Sequence, residues 1–379
     1  MSPIATSTRE RPESVWWALI RAAIFLYVFL LAVAMMGGAF KLLGGGFAKA
    51  LVAGTSNPFA GLFIGVLATS LAQSSSLTTS VVVGLVASGT LTTELAVPVI
   101  MGANVGTSIT NLIVTLGHLR RSNEFRRALA AATVHDFFNW AAVILFLPLQ
   151  VTTGFLSKMA GALANVVVVG DGVSFTSPTK AMTKPVIHVI QDVIQQTGLP
   201  NTGVAIVELV LSLALLFLAL VMLTKTMKGI LLSRLQPVLS SSFARNAPLA
   251  IVFGLVITAI AQSSSITTSL LVPMAAAGVL RLNQVYPVTL GANVGTTVTA
   301  LLAATVGSID GLAIAFAHLL FNVIGILVLY VPPPVRPLIP KAARRFAIAA
   351  TKSRRLVLIF ILGVFFVLPG LVILIDHFL

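Results

Sequence analysis

The 379-residue chain has no cysteine, which excludes both a disulfide framework and a thiolate metal site. Charge is almost as scarce: 9% of residues are charged against 57% apolar, and the mean hydropathy is +1.04. So little charge excludes a soluble chain of this length and points to a polytopic membrane protein in a lipid bilayer. Acid is scarcer than base, with 10 Asp and Glu to 24 Lys and Arg, for a net charge of +14. The basic residues are scattered between apolar runs instead of clustering on one aromatic-rich domain, so no nucleic-acid partner is expected. The apolar run after Arg21 lacks a small-residue cleavage site. A retained first helix is therefore expected, not a signal peptide.

What the chain does contain is a repetition. Residues 69–80 read TSLAQSSSLTTS and residues 258–269 read TAIAQSSSITTS, an offset of 189 residues that is kept by GANVGT at 102–107 and again at 291–296. His135 with Asn139 and His318 with Asn322 repeat an H-x-x-x-N spacing at an offset of 183. One long repeat per half implies an internal duplication and excludes a solenoid period.

Residues 22–40 form a first span, with Trp16, Trp17 and Arg21 as interfacial anchors. The next apolar block is split by Gln73-Ser74-Ser75-Ser76 into arms 59–72 and 77–90. Each arm is about 21 Å long at 1.5 Å per residue, too short for a hydrocarbon core of roughly 30 Å. A re-entrant hairpin is expected, with the tetrad at its tip lining a polar cavity. Run 95–116 is long enough to cross but carries Pro98, Gly102 and Gly106 beside Asn104, Thr107, Ser108, Thr110 and Asn111, so a helix unwound at 102–106 is expected. Run 128–149 crosses again, with His135, Asp136 and Asn139 in its first half. The second copy supplies span 204–223, hairpin 249–278 with its tip at Gln262-Ser263-Ser264-Ser265, broken span 285–306 and span 312–331.

The expected fold is thus an all-α membrane protein of two repeats, each with three transmembrane helices and one re-entrant hairpin, followed by one extra C-terminal transmembrane helix. Its divisions are a cytoplasmic tail 1–21, repeat 22–149, an extracytoplasmic connector 150–203 with no assigned fold, repeat 204–331, a basic cytoplasmic segment 332–355 and the last helix 356–379. Because three crossings is an odd number, the second copy is expected to lie inverted, as in many secondary transporters. A cytoplasmic amino terminus leaves only Lys41, Lys49, Lys158, Lys180 and Lys184 of the 24 basic residues outside. That asymmetry fits the positive-inside rule and a plasma (inner) membrane location with the carboxyl terminus outside.

Two hydroxyl-rich tips facing two Asn- and Thr-rich breaks near the midplane could take an anion at free helix N-termini and sodium at carbonyl and side-chain oxygens. Neither motif has a basic residue, so a bound anion would need cations to offset its charge. The same small residues also suit helix packing, and Gly102-x-x-x-Gly106 is a literal packing motif; identical strings at one offset favour a site. Asp136 is the only acid placed inside a span and reads as functional, with an ion pair to Arg127 or a cap near the cytoplasmic end of the helix as the alternative. His135 and His318 read as structural, and Glu94 and Glu208 as solvated acids at outer span ends.

The strings AQSSSLTTS, IMGANVGTSITN, EFRRALAAATVHDFFNW, AQSSSITTS, YPVTLGANVGTTVTALLA and AHLLFNVIGILVLYVP resemble the type II sodium/phosphate cotransporter family over most of residues 57–149 and 249–345. The resemblance implies a symporter, not an enzyme, that uses sodium as its coupling ion and no cofactor to carry inorganic phosphate. Phosphate is then expected at Ser74, Ser75, Ser76, Asn104, Ser263, Ser264, Ser265 and Asn293. Sodium is expected at Gln73, Ser76, Thr107, Ser108, Asp136, Asn139, Gln262, Ser265, Thr296 and Thr297, with Asp136 linked to an extra sodium and net charge movement. Another oxyanion, such as sulfate or arsenate, and a non-transporting scaffold or sensor are the alternatives. The connector lacks the cysteine-containing loop of animal members, and residues 120–123 lack an acid that can precede the EFRR string.

Overall fold

The computed structural model describes residues 15–55, 57–169, 178–239 and 246–378, and all regular elements among them are helical. The expected tail up to residue 14, residue 56, the middle of the connector at 170–177, residues 240–245 ahead of the second hairpin and residue 379 lie outside the described residues. The first half holds α1 (Val15–Thr55), α2 (Pro58–Ala72), α3 (Ser75–Ala87), α4 (Thr93–Gly106), α5 (Ser108–Leu116) and α6 (Ser122–Thr153). The connector adds α7 (Phe155–Val169) and α8 (Pro178–Gln195). The second half holds α9 (Asn201–Leu239), α10 (Ala247–Ala261), α11 (Ser264–Ala276), α12 (Leu282–Ala304) and α13 (Ile309–Leu329). After it come α14 (Leu338–Lys352), α15 (Arg355–Leu362), a π-helical turn Gly363–Val367 and α16 (Leu368–Phe378).

Seven helices among the described residues are long and apolar enough to cross a membrane: Trp16–Leu43, Thr93–Leu116, Ser122–Thr153, Asn201–Met227, Leu282–Ala304, Ile309–Leu329 and Arg355–Asp376. They coincide with the seven expected spans. The two expected hairpins are helix pairs, and their arms of 15 and 13 residues are too short to cross unaided. Asn57 and Asn246 cap the first arms by accepting from Phe59 N and Leu249 N, and a proline in the first turn of each costs no helical hydrogen bond.

The expected unwinding at residues 102–106 is not found. Helix α4 continues to Gly106, with one irregular turn at Thr107, and α12 runs unbroken through Gly291 and Gly295. The glycines serve contact between helices instead. A Cβ on Gly65 would land on the Val99 carbonyl and one on Gly102 on the Leu62 carbonyl; Gly254 and Gly291 meet Val288 and Ile251 in the same way. The backbones of α2 and α4, and of α10 and α12, therefore lie against each other with no side chain between them, as in small-xxx-small packing.

The connector is ordered where it is described. Helix α7 packs on α13. Helix α8 brings Gln191 Nε2 within 2.9 Å of Glu208 Oε1, and Glu208 is fully buried. It is not the solvated acid expected, because α8 folds over it. In the basic segment, α14 buries Ile339, Ala343, Ala347 and Ala350 on one face, packs on α6, and exposes Lys341, Arg344 and Arg345.

Candidate functional site

Each tip is held by its glutamine. Gln73 and Gln262 end the first arms in the left-handed region, both at φ 54°, a conformation that costs a non-glycine residue energy. Both side chains fold back, Gln73 Nε2 to the Ser70 carbonyl (2.7 Å) and Gln262 Nε2 to the Ala259 carbonyl (2.5 Å). Their Oε1 atoms accept from Thr110 (3.0 Å) and Thr299 (2.9 Å), equivalent threonines on the spans that follow. Matching hydroxyl pairs then tie the arms together, Thr69 to Thr78 at 2.9 Å and Thr258 to Thr267 at 2.8 Å. The glutamines are thus clips that fix each tip to a neighbouring helix.

The two tips meet. Ser76 Oγ donates to the Gln262 carbonyl at 3.2 Å, and a cavity of about 490 Å³ opens between them. Gln73, Ser74 and Ser76 line it from one half, and Gln262 and Ser263 from the other. Helix α9 closes one wall with Phe217, Leu220, Val221, Thr224 and Lys225. Lys225 lies just beyond the expected span 204–223, in a stretch whose basic residues, Lys225 to Arg245, read from the sequence as a cytoplasmic loop. The helix in fact runs on to Leu239, so residues 217, 221 and 225 share one face. That spacing was the available signal. The site therefore does contain a basic group, although neither tip motif supplies one.

The other expected residues do not line this cavity. Ser75, Ser264 and Ser265 begin the second arms without lining the cavity. Thr107, Thr296 and Thr297 turn their hydroxyls back to carbonyls of their own helices, those of Ala103, Ala292 and Val294. Asn104, Asn139 and Asn293 belong to a buried network that crosses between the halves. His135 Nε2 donates to Asn293 Oδ1 (2.5 Å), and Asn293 Nδ2 donates to Asn139 Oδ1 (2.8 Å). In the other direction, His318 Nε2 (3.3 Å) and Asn322 Nδ2 (3.2 Å) both donate to Asn104 Oδ1. Each H-x-x-x-N pair thus holds the asparagine of the other half. Asn139 Nδ2 closes the network on the Asn104 carbonyl at 2.8 Å.

Asp136 is fully buried on α6, and neither carboxylate oxygen has a hydrogen-bond partner. The Ser108 hydroxyl sits beside it, outside hydrogen-bonding geometry and also unpartnered. Arg127 is not its counterion: Nε (2.8 Å) and Nη2 (2.5 Å) both donate to the Ala276 carbonyl. A buried carboxylate needs a proton or a cation. Asp136 and Ser108 together offer oxygens to the latter.

These features define a multi-pass helical membrane protein with a polar cavity built from two copies of one motif. The Na+/Pi-cotransporter family matches residues 28–172 and 205–339, and the chain belongs to that family. It is 33% identical over 420 residues to sodium-dependent phosphate transport protein 2A of Mus musculus, an alignment covering 92% of this chain and 66% of that protein. It is 32% identical over 436 residues to sodium-dependent phosphate transport protein 2B of Homo sapiens, covering 91% and 63%. With protein 2A of Oryctolagus cuniculus it shares 32% identity over 454 residues, covering 97% and 71%. The chain thus spans about two thirds of the length of these relatives. No solved structure matches it.

Proposed function

We propose that the chain is a sodium-coupled symporter that imports inorganic phosphate by alternating access. The observation that carries this reading is the meeting of two Gln-Ser-Ser-Ser tips, one from each half, across one cavity that also takes Lys225. Relatives named sodium-dependent phosphate transport proteins support the choice of ion and substrate. Ser74 and Ser263 donate hydroxyls to the anion, Ser76 holds the tips together through the Gln262 carbonyl, and Lys225 offsets part of the anion's charge. Ser75, Ser264 and Ser265 stand at the starts of α3 and α11, where backbone N–H groups add to the same field. Asp136 and Ser108 hold a sodium, and Gln73 and Gln262 lend amide oxygens at the tips. Asn104 and Asn293 act as the hinge contacts between the halves.

In this reading the helix pairs α2–α3 and α10–α11 are re-entrant hairpins, and the halves are inverted with the amino terminus in the cytoplasm. Two contacts agree with the arrangement, and the second also tells it from a parallel one. Asn57 Nδ2 donates to Asp376 Oδ1 at 2.7 Å, and Arg354 Nη2 to Ser122 Oγ at 3.0 Å. Each joins two ends that the inverted arrangement assigns to one face.

The test is uptake of labelled phosphate into proteoliposomes. An inward sodium gradient should drive accumulation, an equal potassium gradient should not, and excess sulfate should leave uptake unchanged. Uptake indifferent to sodium would remove the coupling, and displacement by sulfate would reassign the substrate to another oxyanion.

A further inference from the structure

A second cavity, of about 440 Å³, lies where α6, the α11–α12 turn and α14 meet. Four arginines line it: Arg126 and Arg127 from the first half, Arg281 from the second and Arg344 from α14. No acid lines it, and none of the four forms an ion pair among the described residues. Glu124, the acid closest to them in sequence, is taken by Arg121 at 3.1 Å and His118 at 3.5 Å. Only part of the donor capacity is spent: Arg127 gives Nε and Nη2 to the Ala276 carbonyl, and Arg344 gives Nη2 to Asn283 Oδ1 at 3.1 Å. Four uncompensated guanidinium groups around one space favour an anion, and their planar forks match phosphate oxygens.

The rest of the lining is apolar and includes Leu282 and Ile348, the latter 48% exposed. A ligand with a charged head and a hydrocarbon body fits that division. Helix α14 packs its buried apolar face on α6, and it presents Arg344 and Ile348, four residues apart, to the cavity, which sets a charged and an apolar group side by side. Basic pockets between transmembrane helices are sites where anionic headgroups bind.

We infer that the arginine cavity binds a terminal, dianionic phosphate group, carried on a glycerolipid headgroup as a monoester or free as inorganic phosphate. Because its arginines come from both halves and from α14, the bound group ties the halves together at one face and restrains their relative movement. The site is separate from the tip cavity, so its test does not depend on transport.

Purified full-length chain in detergent is titrated, without sodium, with dioctanoyl phosphatidic acid, dioctanoyl phosphatidylcholine and inorganic phosphate while Tm is followed. Phosphatidic acid should raise Tm saturably and phosphatidylcholine should not. The double substitution Arg281→Gln, Arg344→Gln should weaken the response at least tenfold. The phosphate arm is repeated with Ser263→Ala, Lys225→Gln, which disables the tip cavity. A phosphate response that survives there and is lost in the arginine variant assigns the site to free phosphate; a response confined to phosphatidic acid assigns it to the lipid. Native mass spectrometry of the unsubstituted chain, comparing retained phosphatidic acid with phosphatidylcholine, decides the matter if the arginine variant does not fold. No preference for phosphatidic acid together with no arginine-dependent phosphate response, or a full response in the arginine variant, would overturn the proposal.

Discussion

Ser74 and Ser263 occupy equivalent places in the two tips but carry different loads. Both line the cavity, yet Ser74 Oγ also accepts from Leu77 N at 3.2 Å, whereas the Ser263 hydroxyl caps nothing. Ser263→Ala therefore removes a cavity hydroxyl without loosening α11. A hydrogen bond to a charged group is worth about 1.5–3 kcal/mol, so the KM for phosphate should rise roughly ten- to hundredfold at unchanged Tm. Ser74→Ala should raise KM and also lower Tm, since a lost cap costs about 1 kcal/mol. Uptake kinetics and thermal unfolding of the two variants separate these effects, and an unchanged KM in both would move the anion away from the tips. Asp136 supplies a second prediction at this scale. If its carboxylate holds a sodium beyond the two that balance divalent phosphate, each cycle carries net positive charge inward. An elementary charge crossing the membrane is worth about 2.3 kcal/mol per 100 mV, so an inside-negative potential should accelerate uptake. Asp136→Asn keeps the size and removes the charge, and it should abolish the voltage dependence in vesicles clamped with potassium and valinomycin. Retained voltage dependence would place charge coupling elsewhere.

At the scale of single elements, much of the structure was legible because length and apolarity decide what can cross a bilayer. The seven spans and the short arms on either side of Gln73 and Gln262 follow from that constraint alone. The glycine strings did not, because Gly102 and Gly106 read equally as a helix break or as a close contact, and the partner helix that settles the choice lies some 40 residues away in α2. Helix α8 was hidden for a different reason: Pro178, Thr179, Thr183 and Pro185 punctuate its first half like a loop. The glycine assignment has a direct test. Gly102→Ala and Gly291→Ala each push a methyl group into the backbone of the opposing helix, where overpacking costs about 1–3 kcal/mol and the rigid backbone cannot yield as a side chain would. Gly37→Ala, where nothing beyond the local helix backbone comes within 4 Å of the new carbon, is the control and should behave as the parent. Size-exclusion profiles and Tm should show the first two variants aggregated or destabilised. Normal folding with transport alone lost would return these glycines to the substrate path.

For the whole molecule, the repeat was visible as an offset, but the exchange it sets up was not. Spacing marked His135 with Asn139 and His318 with Asn322, and nothing in a single copy indicates that each pair grips the asparagine of the other half. Orientation depends on one further question, whether residues 58–87 cross the membrane as one bent span or enter and leave on the same face. If they cross, each half has an even number of crossings and the two copies are parallel. If they do not, the number is odd and the copies are inverted, which is what alternating access around a shared site uses. Single cysteines answer this without background in a chain that has none of its own. Asn57→Cys and Glu94→Cys bracket the first hairpin, both at positions partly or fully exposed to solvent, and Ser122→Cys and Asn246→Cys lie on the face expected to be cytoplasmic. An impermeant maleimide added to intact cells should label the first two and reach the second two only after permeabilisation. Labelling of Asn57→Cys from outside with Glu94→Cys protected would make residues 58–87 a crossing and the duplication parallel, and the two tips could then no longer enter the membrane from opposite sides to share one cavity.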